Sequence, residues 1–86
     1  MVLRVAPAFV PALPQIFGEG IRRHVIEHGR PEGGGAVVVP LTFENAEMAC
    51  SRALGLGTQV EVLSPSELRK RVAQRAAATA AVYGTG

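Results

Sequence analysis

Ile21-Arg22-Arg23-His24-Val25-Ile26-Glu27-His28, then Gly33-Gly34-Gly35, then Ala36-Val37-Val38-Val39-Pro40-Leu41-Thr42-Phe43: the fold turns on this stretch. Its last run is the clearest strand in the chain, because the alternate residues Val37, Val39, Leu41 and Phe43 make one apolar face. The first run fits two periods. Ile21, Val25 and His28 suit a helix face, whereas Ile21, Arg23, Val25 and Glu27 suit one side of a strand. A glycine-rich loop between two such runs reads as a hairpin, so residues 22–29 are predicted to be a strand.

Towards the N-terminus, Val2-Leu3-Arg4-Val5-Ala6 is short, β-branched and alternating, and it stops at Pro7. It reads as the first strand, with Leu3 and Val5 on one side and Arg4 on the other. Residues 8–17 place Phe9, Leu13, Ile16 and Phe17 at helical spacing, but Pro11 and Pro14 limit them to a short or irregular helix, ended by Gly18-Glu19-Gly20. Towards the C-terminus, Asn45 is placed to cap a helix from Ala46 to about Leu54, stopped by Gly55 and Gly57. In the next run Val60 and Val62 alternate with Gln59 and Glu61 as a strand over 58–63. Ser64-Pro65-Ser66-Glu67 has the form of a capping box with Pro at the first helical position. Leu68, Val72, Ala76, Ala80 and Tyr83 then recur at helical spacing, with Arg69, Lys70, Arg71 and Arg75 on the other sides.

The predicted order is strand, helix, strand, strand, helix, strand, helix. Its βαββαβ part is the ferredoxin-like arrangement, an α+β fold with two helices on one face of an antiparallel sheet, here with an additional C-terminal helix. At 86 residues the chain is expected to be a single domain spanning 1–86, burying roughly 60% of its unfolded surface.

Composition narrows the function classes. With 48% hydrophobic and 19% charged residues the chain is ordinary globular protein and not a disordered tail. No run is long enough to span a membrane, and Pro7, Pro11 and Pro14 break the stretch that a signal peptide would need as a helix. The single cysteine, Cys50, excludes a disulfide framework, and with only two His it argues against structural zinc. The expected compartment is the reducing cytoplasm. A net charge of +2 is too small to imply nucleic-acid binding, and 5% aromatic residues cannot build a stacking platform for single strands.

The candidate chemical motifs mostly take structural readings. Gly33-Gly34-Gly35 precedes a Val-rich strand, not a helix N-terminus, so it reads as a turn and not as a phosphate cradle. Gly55-Leu56-Gly57 ends a helix where a dinucleotide fingerprint would open one. On a helix His24 and His28 would share a face and could bind metal; on the predicted strand they lie about 13 Å apart, too far to chelate one ion. Cys50 lacks an acid-base partner nearby, and the serines lack a nucleophile-elbow context, so no catalytic residue, metal site or cofactor is assigned. The basic cluster on the last helix reads as a solvated face, with Glu67 and Arg71 spaced as an i,i+4 pair. Arg4 is the polar residue of most interest. It belongs to the helix-free face of the sheet, where its charge must meet solvent, a carboxylate such as Glu61, or a ligand. Arg4, Arg22 and His24 are the candidate ligand contacts. Leu68, Val72 and Tyr83 are the candidate interface residues, with Tyr83 expected to anchor the far end of the last helix and Arg75 expected to be indifferent.

Leu3-Arg4-Val5-Ala6-Pro7 followed by Phe9-Val10-Pro11 resembles the opening of the C-terminal extension, called WCX, of WYL-domain bacterial transcription regulators. Leu54-Gly55-Leu56-Gly57, Val60-Glu61-Val62-Leu63-Ser64-Pro65-Ser66-Glu67-Leu68-Arg69 and a helix ending at Tyr83 resemble its close. Where the family often carries Trp, the chain has Ser51-Arg52-Ala53-Leu54. The resemblance implies a ferredoxin-like domain that follows a winged helix-turn-helix and a WYL domain and serves dimerisation and effector response. The expectations are therefore a non-enzymatic regulatory module without a DNA-binding domain of its own and with no sequence-specific DNA contact. It is expected to form a homodimer, to partner the helix-turn-helix and WYL domains of a parent regulator, and to answer a nucleotide or oligonucleotide effector. The alternative is a stand-alone ferredoxin-like domain that binds a small ligand or nucleotide on its helix-free face.

Overall fold

The alternation of Val2-Leu3-Arg4-Val5 sorts these side chains to opposite sides of a strand, and burial follows it: Leu3 is 1% exposed and Val5 0%. The computed structural model describes residues 1–84; the last two residues of the expected domain lie outside the described residues. In it Val2–Val5 is strand β1, at the centre of a four-stranded sheet. Both neighbours, β3 (Val37–Pro40) and β4 (Val60–Ser64), run antiparallel to it, and the short β2 (Arg30–Pro31) pairs antiparallel with β3. The order β2-β3-β1-β4 is that of a ferredoxin-like α+β sheet. Leu3 sits opposite Val39 on one side and Val62 on the other, so three apolar side chains form a row across one face. Ile21, Leu13, Cys50, Ala53 and Leu68 close over that row as one hydrophobic core.

The prolines shape the first connection as expected. Pro7–Ala12 is a 3-10 segment, and only Leu13–Phe17 becomes α-helix, α1, stopped at Gly18 with φ of 86°. The strand predicted over 22–29 is corrected by the structure. Gly20–His28 is helix α2, and the strand that follows it is only the two-residue β2. The five residues of α1 are too few to cover the sheet beside β3. The neighbouring run supplies that cover with Ile21, 7% exposed, and the half-buried Val25. Gly29 makes the abrupt exit possible. A Cβ there would lie 2.5 Å from the Val25 carbonyl oxygen, so only glycine lets the chain leave the helix at this spot. The hairpin around Gly33-Gly34-Gly35 does form, with a short first arm on an edge strand where Pro31 has no N–H to donate.

The second half keeps closer to expectation. Asn45 Oδ1 accepts the Met48 N–H at 2.8 Å and caps α3 (Ala46–Gly55). The expected capping box of the last helix is not made. Ser64 lies in β4 opposite Val2, and α4 (Ser66–Tyr83) starts from Pro65, whose carbonyl accepts the Leu68 and Arg69 N–H groups. Along α4 burial fades. Leu68 is 6% exposed, Val72 is half-buried, and every residue over 76–83 is exposed. Helix propensity of the alanines, not packing, carries the helix outward, and the molecule measures 42 × 26 × 23 Å. Tyr83 is 78% exposed, so it does not anchor the far end within its own chain. No helix among the described residues is long and apolar enough to cross a membrane.

Candidate functional site

Two surfaces are left over once the core has formed. The first is the helix-free face of the sheet. Register places Arg30 of β2 and Arg4 of β1 on either side of Val38 of β3, and Arg4 opposite Glu61 of β4. Val38 is 4% exposed although it lies outside the core cluster, and it is flanked in register by two arginines, a residue type whose stem can lie along apolar neighbours while its head stays wet. Arg4 Nε meets Glu32 Oε1 at 2.8 Å, and its Nη1 meets Glu61 Oε1 at 2.8 Å. On the far side of Glu61, Arg69 Nη1 of α4 reaches Oε2 at 2.6 Å and also bonds the Val62 carbonyl at 2.9 Å. The result is a chain of alternating charge, Glu32–Arg4–Glu61–Arg69. The hydrogen bonds that Arg4 donates to Glu32 and then to Glu61 raise its pKa above the ordinary value. Arg69 and then Arg4 hold the Glu61 carboxyl below the usual carboxylate range.

The second surface is an open groove of about 600 Å³ between α4 and the free edge of β4. Val60, Val62, Val72, Ala73, Ala76 and Ala80 are among its walls. The exposed end of α4 stands beside it and carries Val82 and Tyr83, 73% and 78% exposed. On the opposite flank of α4, Arg75 pairs with Glu47 of α3 at 2.5 Å (Nη1–Oε1) and 2.7 Å (Nη2–Oε2). Arg71 turns to the same carboxylate at 3.8 Å and not to Glu67. Thus part of the basic cluster expected to be solvated joins two helices.

The expected ligand contacts do not form one patch. Arg4 lies on the helix-free face, while Arg22 and His24 lie on α2, which covers the other face. Arg22 Nε is paired to Glu19 Oε2 at 2.9 Å within its own helix. His24 Nε2 lies 2.5 Å from the Pro40 carbonyl oxygen and ties α2 to the end of β3. Because 20–28 is helical, the His24 and His28 rings lie 4.9 Å apart, but no third His, Cys or acidic residue joins them in a metal-sized group among the described residues. Cys50 is fully buried, and its thiol meets no solvent. Of the expected interface residues, Leu68 is spent in the chain's own core, Val72 lines the groove, and Tyr83 is free at the tip.

Sequence reasoning named Glu61 as a partner of Arg4 but missed Glu32 and Arg69. Glu32 stands two residues after Arg30, the spacing that shares a strand face, and that was the available signal. Arg69 carried none, since its reach to Glu61 depends on how α4 leaves the sheet.

No curated protein and no solved structure matches the chain. Its sequence does match a family profile, the WCX domain, over residues 1–80. The match runs from β1 through most of α4 and takes in the helix-free face and the groove, while Val82 and Tyr83 lie beyond it. The chain belongs to the WCX domain family, a domain associated with WYL-type transcription regulators.

Proposed function

We propose that the chain is a non-enzymatic regulatory and self-association module of a WYL-type bacterial transcription regulator, working in the cytoplasm as a homodimer. The observation that carries this reading is the bare end of α4. A helix that keeps Val82 and Tyr83 in water beside an apolar groove is poorly matched to life as an isolated monomer. A second copy related by a two-fold axis presents the same helix end and the same groove, so the contact is self-complementary. The small groove residues Ala73, Ala76 and Ala80 allow close approach, and Val82 and Tyr83 bring the bulk that the groove walls lack. In this role the chain contacts the WYL and helix-turn-helix domains of its parent regulator and leaves sequence-specific DNA contact to the latter.

Sedimentation tests the association. The expected result is a dimer at micromolar concentration that dissociates in a Val82→Ala, Tyr83→Ala double variant. A clean monomer of the unaltered chain at high micromolar concentration overturns it. A second reading, a domain that binds a small ligand or nucleotide on the helix-free face, is favoured by one observation: Arg4 and Arg30 stand in register across that face, Arg4 with carboxylate partners and Arg30 with none among the described residues.

A further inference from the structure

The geometry points to a binding site for a phosphate monoester on the helix-free face, between Arg4 and Arg30, whose place is held in this structure by the carboxylate of Glu32. The inference rests on the second reading above and is independent of the dimer.

Arg4 and Arg30 flank Val38 in register, two strand spacings or about 10 Å apart at their Cα atoms, and their side chains share one side of the sheet. Two long guanidinium arms at that separation can close on one tetrahedral anion, and paired charge-assisted hydrogen bonds are the strong kind. Arg30 is exposed and makes no ion pair among the described residues. Arg4 is paired, but unequally. Glu61 is held from two sides, by Arg4 and Arg69. Glu32 has one contact, to Arg4 Nε, with both side chains about as exposed as a surface pair: 40% for Arg4 and 36% for Glu32. Exposed pairs of this kind are held weakly.

The backbone lets Glu32 give way at little cost. Its N–H bonds the Ala36 carbonyl at 2.7 Å and its carbonyl accepts from Gly35 at 3.2 Å, so the turn is closed without the carboxylate. The side chain therefore swings clear while the hairpin stays shut. With Glu32 swung clear the face carries Arg4, Arg30 and Arg69 against Glu61 alone, an excess of two positive charges that a dianionic ester offsets better than a monoanionic one.

The same observations fix what the site does not read. Phe9, Phe17 and Phe43 pack against the core, and Tyr83 stands at the tip of α4. No aromatic ring is left on this face to stack a base. Recognition falls on the phosphate, so a nucleoside 5′-monophosphate and ribose 5-phosphate bind alike. Dimethyl phosphate, the monoanionic diester that stands for a nucleic-acid backbone, binds more weakly than either.

Titration of the folded chain with these three compounds at low salt, followed by amide chemical shifts, tests the site. The expected shifts fall on residues around Arg4, Val38 and Glu32. Arg4→Gln and Arg30→Gln each weaken monoester binding several-fold. Glu32→Gln, which removes the tethered competitor, tightens it several-fold, while Glu44→Gln, the same charge change elsewhere, alters it much less. The proposal is overturned if Glu32→Gln binds no better than Glu44→Gln, or if Arg30→Gln binds as the unaltered chain does. Monoester shifts that survive Arg4→Gln place a ligand elsewhere and overturn this site alone. No shifts with any compound overturn the second reading along with it.

Discussion

The Glu47 carboxylate on α3 takes both terminal nitrogens of Arg75 on α4, at 2.5 Å and 2.7 Å, and so joins the two helices at the point where α4 leaves the body of the protein. The pairing raises the pKa of Arg75 and holds the Glu47 carboxyl below the usual carboxylate range. Beyond Arg75 the helix has no buried residue.

Arg75→Ala is therefore expected to lower the urea midpoint measurably, whereas Lys70→Ala, on the same helix and without a carboxylate partner among the described residues, leaves it in place. A double-mutant cycle with Glu47→Ala should show coupling that shrinks as salt is raised. Additive single effects at low salt would contradict the pairing.

Acid should act through Glu47 and Glu61. Both have folded pKa values pushed down, chiefly by Arg75 for Glu47 and by Arg69 for Glu61. A depressed carboxylate contributes stability that is present above its unfolded pKa, about 4.3, and is lost as pH falls through the folded value. The denaturation midpoint of the unaltered chain should thus fall as pH drops below about 4.3. A Glu47→Gln, Glu61→Gln variant should start lower at neutral pH and lose less on acidification. Parallel curves would remove both carboxylates from the account.

Leu68 and Tyr83 sit on one helix and should separate folding from association. Leu68 is 6% exposed and belongs to the core, so Leu68→Ala should cost about 2–4 kcal/mol of stability. Tyr83 is 78% exposed, so Tyr83→Ala should change the stability of the dilute monomer by less than about 0.5 kcal/mol while weakening the dimer. Denaturation midpoints at two protein concentrations measure both. A destabilised dilute Tyr83→Ala monomer would mean that the tip packs against its own chain.

Helix starts give a paired comparison. Asn45 makes a side-chain cap and Ser64 does not. Asn45→Ala should cost on the order of 1 kcal/mol; Ser64→Ala, in an exposed strand position, should cost much less. The reverse ranking would restore the capping box expected from Ser64 to Glu67.

Gly29 admits no side chain. A Cβ would meet the Val25 carbonyl oxygen at 2.5 Å and Val37 Cγ1 at 3.1 Å, both on elements that cannot yield freely. Gly29→Ala should sharply lower the thermal midpoint, whereas Gly33→Ala, where a Cβ meets nothing within 4 Å, should be tolerated. Equal midpoints for the two variants would refute the close approach.

What the sequence by itself determined was the alternation and the punctuation. Leu3, Val5, Val39 and Val62 had to share a face once their runs were strands, because side chains alternate across a strand. Asn45, Gly18 and the prolines marked starts and stops through local geometry that no distant contact needed to supply. Those signals were enough for β1, β3 and β4 and for Arg4 on the helix-free face; the second strand of the expected βαββαβ order was placed on 22–29, whereas β2 is Arg30–Pro31. Residues 21–28 were different, since their apolar positions satisfied both periods. Helix won because α1 is too short to cover β3, and that is a demand of the assembled sheet and not of the segment. Ser64 likewise offered a good cap in isolation, but pairing with Val2 drew it into β4. Glu32–Arg4–Glu61–Arg69 and Glu47–Arg75 link residues from different elements. Their meeting depended on strand order and on the path of α4, and exposed charges carry too little energy to announce in advance where they will pair.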